Sequence, residues 1–327
     1  MKAEVETEGL LQFIYPSSFD LLPSNFPSMF AAVLTTFCFA CSVILARRST
    51  LFVGNQPANL GRQLVALVFL ALWAHTLGQG LRGPGLGVFI VSGVIGFGMG
   101  DWALFEALPR VGPALTALIC QCLAAPIAAV TEWLWLGTTM TPFQIASSAV
   151  TLVGVAVAMA PERESAIPRG HRVAGTIFAL IAALGQAWGA VVSRYGFRLD
   201  DAAKFHLDGV TAAYQRLWGG VAVITLLVLV QHLLSRRRAI GDRKRPDWRG
   251  GLPWVIGNAL AGPTLGVSCY QWALHVAPSA VVLPIVATTP LVVMLLAFGF
   301  DKVRPSRRTL IGSFVAVAGV VALVVSS

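Results

Sequence analysis

Apolar residues are grouped into ten runs, and short polar or charged stretches separate each run from the next. The runs cover residues 27–46, 60–79, 86–108, 112–135, 143–160, 172–193, 209–233, 252–274, 279–299 and 308–326. Most runs are roughly 20 residues long and lack the alternation of a membrane β-strand, so each is predicted to cross a bilayer as a helix. The pattern predicts an all-α integral membrane protein with about ten transmembrane helices.

A set of glycines, prolines and small motifs occurs twice, at a spacing of about 165 residues. The repeated pairs are Gly96 and Gly262, Gly100 and Gly266, Ala107-Leu108 and Ala273-Leu274, and Pro113 and Pro278. The chain is therefore predicted to hold a tail, 1–26, a first five-helix repeat, 27–160, a linker, 161–171, and a second five-helix repeat, 172–327. An odd number of crossings per repeat inverts the second copy in the membrane, which is typical of secondary transporters.

The composition agrees with a chain that is solvated by lipid. Of its 327 residues, 56% are hydrophobic and 12% are charged, whereas soluble domains carry about 25% charged residues. The net charge of +9 comes from basic residues in the connectors, where they set orientation, so nucleic-acid binding is not expected.

Lysine and arginine are concentrated at one end of the predicted spans. That end receives Arg47, Arg48, Arg62, Arg110 and the basic stretch 236–249. The positive-inside rule places this end in the cytoplasm and both termini outside. We expect an integral protein of a bacterial plasma (inner) membrane with this orientation.

The sequence predicts no cofactor, no metal site and no catalytic residue. It has no Walker-type phosphate loop, no metal-ligand spacing and no Ser-His-Asp pattern. The five cysteines lie within apolar runs and are interpreted as packing residues. The expected partners are a small-molecule substrate and the lipid bilayer. The glycines spaced four residues apart are compatible with a homodimer and equally with packing inside one chain.

Charged residues inside the predicted spans are the first candidates for function, because a charge at the bilayer centre costs about 2.5–3.5 kcal/mol on insertion scales. Asp101 follows three glycines in the third span, and Arg216 lies in the seventh. Asp101 is a candidate for proton coupling, since burial disfavours the charged form of a carboxylate. Arg216 is a candidate anchor for the substrate. The alternative is structural: Arg216 would pair with Glu132 between helices.

Polar and aromatic residues near these charges complete the predicted substrate site. They are Trp102, Gln186, Trp188, Asn258, Tyr270 and Gln271. Intramembrane amides bond across helices or face a wet cavity, and aromatic rings bind amphipathic solutes. The alternative for the aromatic residues is an interfacial belt.

The chain resembles the EamA-type, ten-helix members of the drug/metabolite transporter superfamily. The resemblance rests on the segment from Gly100 to Leu108, on Val111-Gly112-Pro113-Ala114, and on the segment from Tyr270 to Ala280. The resemblance continues through Pro290, the turn at Phe298-Gly299-Phe300-Asp301-Lys302 and Gly312. The sequence departs from the family's pattern at Leu136-Gly137-Thr138-Thr139, where the acidic turn is missing. It departs again at Asp301, where glutamate is usual. The resemblance implies a central cavity that opens alternately to each side.

The leading hypothesis is a secondary active transporter, an exporter or exchanger, of a small polar or amphipathic metabolite. One alternative is an integral-membrane enzyme acting on a lipid-linked substrate. Such an enzyme would need clustered carboxylates or histidines at one membrane face, and the sequence offers scattered ones. A membrane scaffold is the third alternative, but it would not need buried charges or duplicated glycine and proline breaks.

Overall fold

The computed structural model describes residues 26–136, 141–159, 169–237, 246–277, 279–301 and 306–325. These residues contain no β-strand, which confirms the all-α prediction. The helices are α1 Phe26–Val53, α2 Asn55–Thr76, α3 Leu86–Gly93, α4 Asp101–Leu136, α5 Pro142–Met159, α6 Arg169–Ala202, α7 Gly209–Arg237, α8 Trp248–Ala259, α9 Val267–Val276, α10 Ser279–Val286, α11 Thr289–Asp301 and α12 Arg307–Val325. Two π-helical segments, π1 Val94–Gly100 and π2 Leu260–Gly266, join α3 to α4 and α8 to α9.

All ten predicted spans fall on these helices, and the predicted tail and most of the predicted linker lie outside the described residues. Within the described ranges, five helical stretches are long and apolar enough to cross a membrane. One of them, Leu86–Trp135, has 50 residues and holds two crossings. The crossings are separated at Gly112, whose φ of 79° and ψ of 167° break the helix. Glycine adopts this left-handed φ without the penalty of a Cβ atom.

The third and eighth predicted spans are interrupted at corresponding points. π1 lies in the third span and π2 in the eighth, and each ends at one of the duplicated glycines, Gly100 or Gly266. A π-helical segment holds an extra residue that widens the turn, and such segments are frequent at functional sites. Pro263 contributes to π2, because proline supplies no backbone N–H to the α-helical ladder.

The last helices of the two repeats, α5 and α12, pack with their backbones in contact. A methyl group on Gly154 would overlap the backbone nitrogen of Ala316, and one on Gly312 would lie 2.5 Å from the carbonyl oxygen of Gly154. Small residues allow this close approach between helices in a membrane. Large apolar side chains such as Leu72 and Leu134 remain exposed on the periphery, as expected where lipid is the solvent.

Candidate functional site

A central cavity lies between the two repeats, and both repeats contribute to its wall. Its lining residues are Phe39, Ser42, Val43, Arg62, Gly96, Phe97, Gly100, Asp101, Leu104, Cys120, Gln121, Ala182, Gln186, Arg216, Gly262, Pro263, Val267 and Tyr270. The cavity volume is about 70 Å³, which is room for a few water molecules. A metabolite would therefore require the two repeats to move apart.

Arg62 and Asp101 form an ion pair in the wall of this cavity. Nη2 of Arg62 donates to Oδ2 of Asp101. The Arg62 side chain is buried, and its Nε donates to Oδ1 of Asn59 at 3.2 Å. Nε2 of Gln63 lies 3.5 Å from the same Asp101 oxygen. The guanidinium and the carboxylate therefore serve as counter-ions to each other in this conformation.

Arg216 faces the cavity without a comparable partner. It is 5% exposed, and its guanidinium lies over the ring of Phe97 at 5.4 Å. Within the described residues it forms no ion pair, and its Nε has no hydrogen-bond partner. Asp101 is within electrostatic reach of Arg216 as well as of Arg62. Two buried guanidinium groups therefore share one carboxylate.

The two arginines occupy corresponding places in the two repeats. Arg62 is the eighth residue of α2, and Arg216 is the eighth residue of α7. A methyl group on Gly262 would lie 3.0 Å from Nη1 of Arg62, and one on Gly96 would lie 2.9 Å from Nη2 of Arg216. Each arginine therefore reaches the π-helical segment of the other repeat. The duplicated glycines leave room for the guanidinium groups inside one chain.

The structure brings four of the eight predicted substrate-site residues to the cavity: Asp101, Gln186, Arg216 and Tyr270. Nε2 of Gln186 lies 3.4 Å from Oε1 of Gln121, which also lines the wall. The hydroxyl of Tyr270 has no hydrogen-bond partner within the described ranges, although the side chain is 2% exposed.

The other four predicted residues lie away from the cavity wall. Trp188 is 39% exposed on the periphery, so the interfacial alternative fits it better. Trp102 packs edge-on against Phe178, with ring centroids 5.4 Å apart. Asn258 is buried behind the wall, where its Oδ1 accepts a hydrogen bond from Ser42 at 2.7 Å. Gln271 is fully buried and does not line the cavity.

The structural alternative for Arg216, an ion pair with Glu132, is wrong. Oε1 of Glu132 accepts a hydrogen bond from the hydroxyl of Ser279. Arg194, from the same repeat as Arg216, donates to the carbonyl oxygens of Leu274 and Ala277. These contacts tie α4, α6, α9 and α10 together at one end of the bundle.

A polar cluster closes the opposite end, where α2 begins. Nε2 of Gln56 donates to Oε1 of Glu106 at 2.8 Å, and Nη1 of Arg110 donates to Oε2 of Glu106 at 2.6 Å. Asn55 lies 3.3 Å from the same Oε2 atom. The central cavity is therefore bounded by polar contacts at both ends.

Arg62 is the site residue that sequence reasoning missed. The charge pattern predicts that Arg62 lies at the basic end of the second span, whereas the structure places it inside α2, 4% exposed and in the cavity wall. The second span was predicted to begin at residue 60, but α2 begins at Asn55. The repeat spacing of about 165 residues does not align Arg62 with Arg216, and their correspondence emerges only from the helix starts at Asn55 and Gly209.

The described residues contain no group of three or more His, Cys, Asp or Glu side chains that could hold a metal ion. The chemistry of the cavity rests on its two guanidinium groups, one carboxylate, amides and a phenol. Such a set binds polar solutes reversibly through charge and hydrogen bonds.

Comparisons with known proteins agree with this architecture. The family model described as "EamA-like transporter family" matches residues 26–160 and again residues 173–325. No curated protein matches the sequence at a significant level. A solved structure titled "Crystal structure of protein" superposes with a TM-score of 0.60 at 19% identity, over 91% of this chain and 96% of that chain. At this identity the likeness concerns the fold alone.

Proposed function

The chain belongs to the EamA-like transporter family, and from this premise we propose that it is a secondary active transporter, an exporter or exchanger, of a small polar or amphipathic metabolite. The observation that carries the proposal is the charged cavity between the two repeats, which holds Arg62, Asp101 and Arg216. Charged groups within membrane spans mark substrate or ion pathways. A site at the interface of two inverted repeats is the arrangement on which alternating access depends.

The alternating-access mechanism would open one set of end contacts while keeping the other set closed. With the orientation set by the positive-inside rule, the Gln56–Glu106–Arg110 cluster faces the cytoplasm. The contacts of Arg194 and the Glu132–Ser279 bond then face outward. The Ala287-Thr288 break between α10 and α11 gives the bundle a place to bend.

Proton coupling through Asp101 is part of the proposal. Because Asp101 is paired with Arg62, uptake of a proton would remove the charge that holds the Arg62 guanidinium. The proposed coupling is that protonation of Asp101 releases α2 from the start of α4. A membrane enzyme is the second candidate function, but the intramembrane carboxylates Asp101, Glu106 and Glu132 lie apart, in separate polar contacts.

The test is transport by the purified protein in proteoliposomes. Vesicles loaded with a pH-sensitive dye would be challenged with pools of amino acids, sugars, nucleosides, organic acids and cationic drugs. Counterflow with labelled solutes would detect exchange that moves no protons. We expect one pool to give uptake above protein-free vesicles and above vesicles with the Arg62→Gln/Asp101→Asn variant. No uptake by either readout from any pool would contradict the proposal.

A further inference from the structure

In the part of the chain that the structure describes, the cavity has matching arginines in its two halves but a carboxylate in only one half. Asp101 directly follows Gly100, and the residue that directly follows the corresponding Gly266 is Val267. Both Asp101 and Val267 line the cavity. Among the described residues the charged lining residues are thus Arg62, Asp101 and Arg216, which leaves one uncompensated positive charge.

Such a charge is expensive at membrane depth unless a counter-ion accompanies it. Arg62 has its counter-ion in Asp101. Arg216 is buried against Phe97, and its Nε lacks a hydrogen-bond partner within the described residues. A guanidinium presents a rigid fork of donors that matches a carboxylate. The hydroxyl of Tyr270, also without a partner in that part of the chain, is a second donor in the same wall.

Resting on the proposed function, we infer that the transported solute is a small organic monocarboxylate that carries no ammonium group. Its carboxylate binds Arg216 and Tyr270. One negative charge neutralises the site, whereas a dianionic phosphate would leave an excess negative charge and a zwitterion or a cation would leave an excess positive charge. The apolar wall, from Phe39, Val43, Phe97, Leu104 and Val267, contacts the apolar body of the solute.

The test uses six-carbon probes that differ in charge but share a chain. Hexanoate is compared with hexanamide, norleucine, hexylamine and hexyl phosphate, with the thermal unfolding midpoint of the purified full-length protein as the binding readout at neutral pH. We expect hexanoate to raise the midpoint most. Stabilisation by norleucine, hexylamine or hexyl phosphate equal to that by hexanoate, or no stabilisation by hexanoate, would overturn the inference.

Two substitutions test whether the preference for hexanoate depends on the cavity wall around Arg216. Arg216→Gln should weaken hexanoate binding about tenfold or more, as expected when a charge-assisted hydrogen bond is lost. The matched control is Arg198→Gln, which removes the same charge from an exposed position on α6. Val267→Asp supplies the missing carboxylate while keeping Arg216, and it should abolish the preference for hexanoate over hexanamide. Retention of that preference by Val267→Asp would overturn the inference even if Arg216→Gln fails to fold.

Counterflow with labelled hexanoate separates this inference from the proposed function. Arg216-dependent binding of hexanoate without any counterflow would support the anion site and count against transport. Transport of a solute without a free carboxylate, together with absent hexanoate binding, would support transport and overturn the assignment of the substrate class.

Discussion

The backbones of Gly100 and Gly185 are in contact where the first π-helical segment meets α6. A methyl group on Gly185 would lie 2.5 Å from Cα of Gly100 and 3.0 Å from the carbonyl oxygen of Ile95. The facing atoms belong to the backbone, so they cannot rotate away as a side chain would. This contact joins the first repeat to the second beside the cavity.

Replacing Gly185 by alanine is therefore expected to destabilise the protein. Overpacking a well-filled contact costs roughly 1–3 kcal/mol, and here the neighbours that must move are backbone atoms. The measurement is the thermal unfolding midpoint in detergent. The matched control is Gly87→Ala, since a methyl group on Gly87 meets nothing within 4 Å. Equal midpoints for the two variants would contradict the argument.

The Arg62–Asp101 pair predicts a strong effect of single substitution and a weaker effect of double substitution. Arg62→Gln removes the cation in direct contact with Asp101, and breaking a buried pair in this way costs about 3–5 kcal/mol. Arg62→Gln/Asp101→Asn removes both charges and should recover much of the folded yield. Size-exclusion chromatography would measure the yield and the monodispersity of each variant.

Arg110→Gln is the control for the Arg62 series. It breaks an ion pair between Glu106 and Arg110 four residues apart on one helix, and such partly exposed pairs contribute about 0.3–0.5 kcal/mol. We expect it to change the folded yield little. If Arg110→Gln lowered the yield as much as Arg62→Gln, the central pair would have no special structural role.

The ten apolar spans are predictable from the length of the apolar runs, and the duplication is predictable from the repeated glycines and prolines. The cavity was predictable in part. Asp101 and Arg216 stand out as charges inside apolar runs, whereas the sequence places Arg62 near a connector because α2 begins five residues before the predicted span. Trp188 was assigned to the site because aromatic character does not reveal which side of a helix faces lipid. The partner of Glu132 lies in the other repeat, and the partners of Arg194 lie 80 and 83 residues further along the chain, and sequence spacing encodes neither contact.

Asp101→Asn tests the proposed proton coupling. An amide cannot take up a proton in the working range, so we expect the variant to lose the dependence of uptake on a pH gradient. Counterflow exchange at equal pH, measured per amount of folded protein because the Arg62–Asp101 pair also supports folding, should persist, since exchange needs no net proton movement. Uptake and counterflow would be measured on the same preparation. Full dependence on the pH gradient in Asp101→Asn would show that another group carries the proton.

Arg194→Gln tests the proposed outer closure. The substitution weakens the donation to the carbonyl oxygens of Leu274 and Ala277, which join α6 to the end of α9. We expect faster amide hydrogen exchange in residues 270–286 of the variant than in the same residues of the wild type. The substitution removes contacts that only the outward-closed state makes, so the outward-open state becomes more populated. Exchange in residues 55–62, at the opposite end, should stay unchanged. A uniform increase throughout the protein would indicate general destabilisation instead of opening.

The proposed orientation can be checked by fusing alkaline phosphatase, which is active only outside the cytoplasm, at two positions of the chain expressed in a bacterium. The basic stretch 236–249 places the α7–α8 connector in the cytoplasm by the positive-inside rule. From that connector, α8 and α9 make one crossing, α10 and α11 a second and α12 a third, so a fusion after Ser327 should be active. A fusion at residue 240 should be inactive. The reverse pattern would invert the chain in the membrane and would place the Gln56–Glu106–Arg110 cluster at the outer end of the cavity.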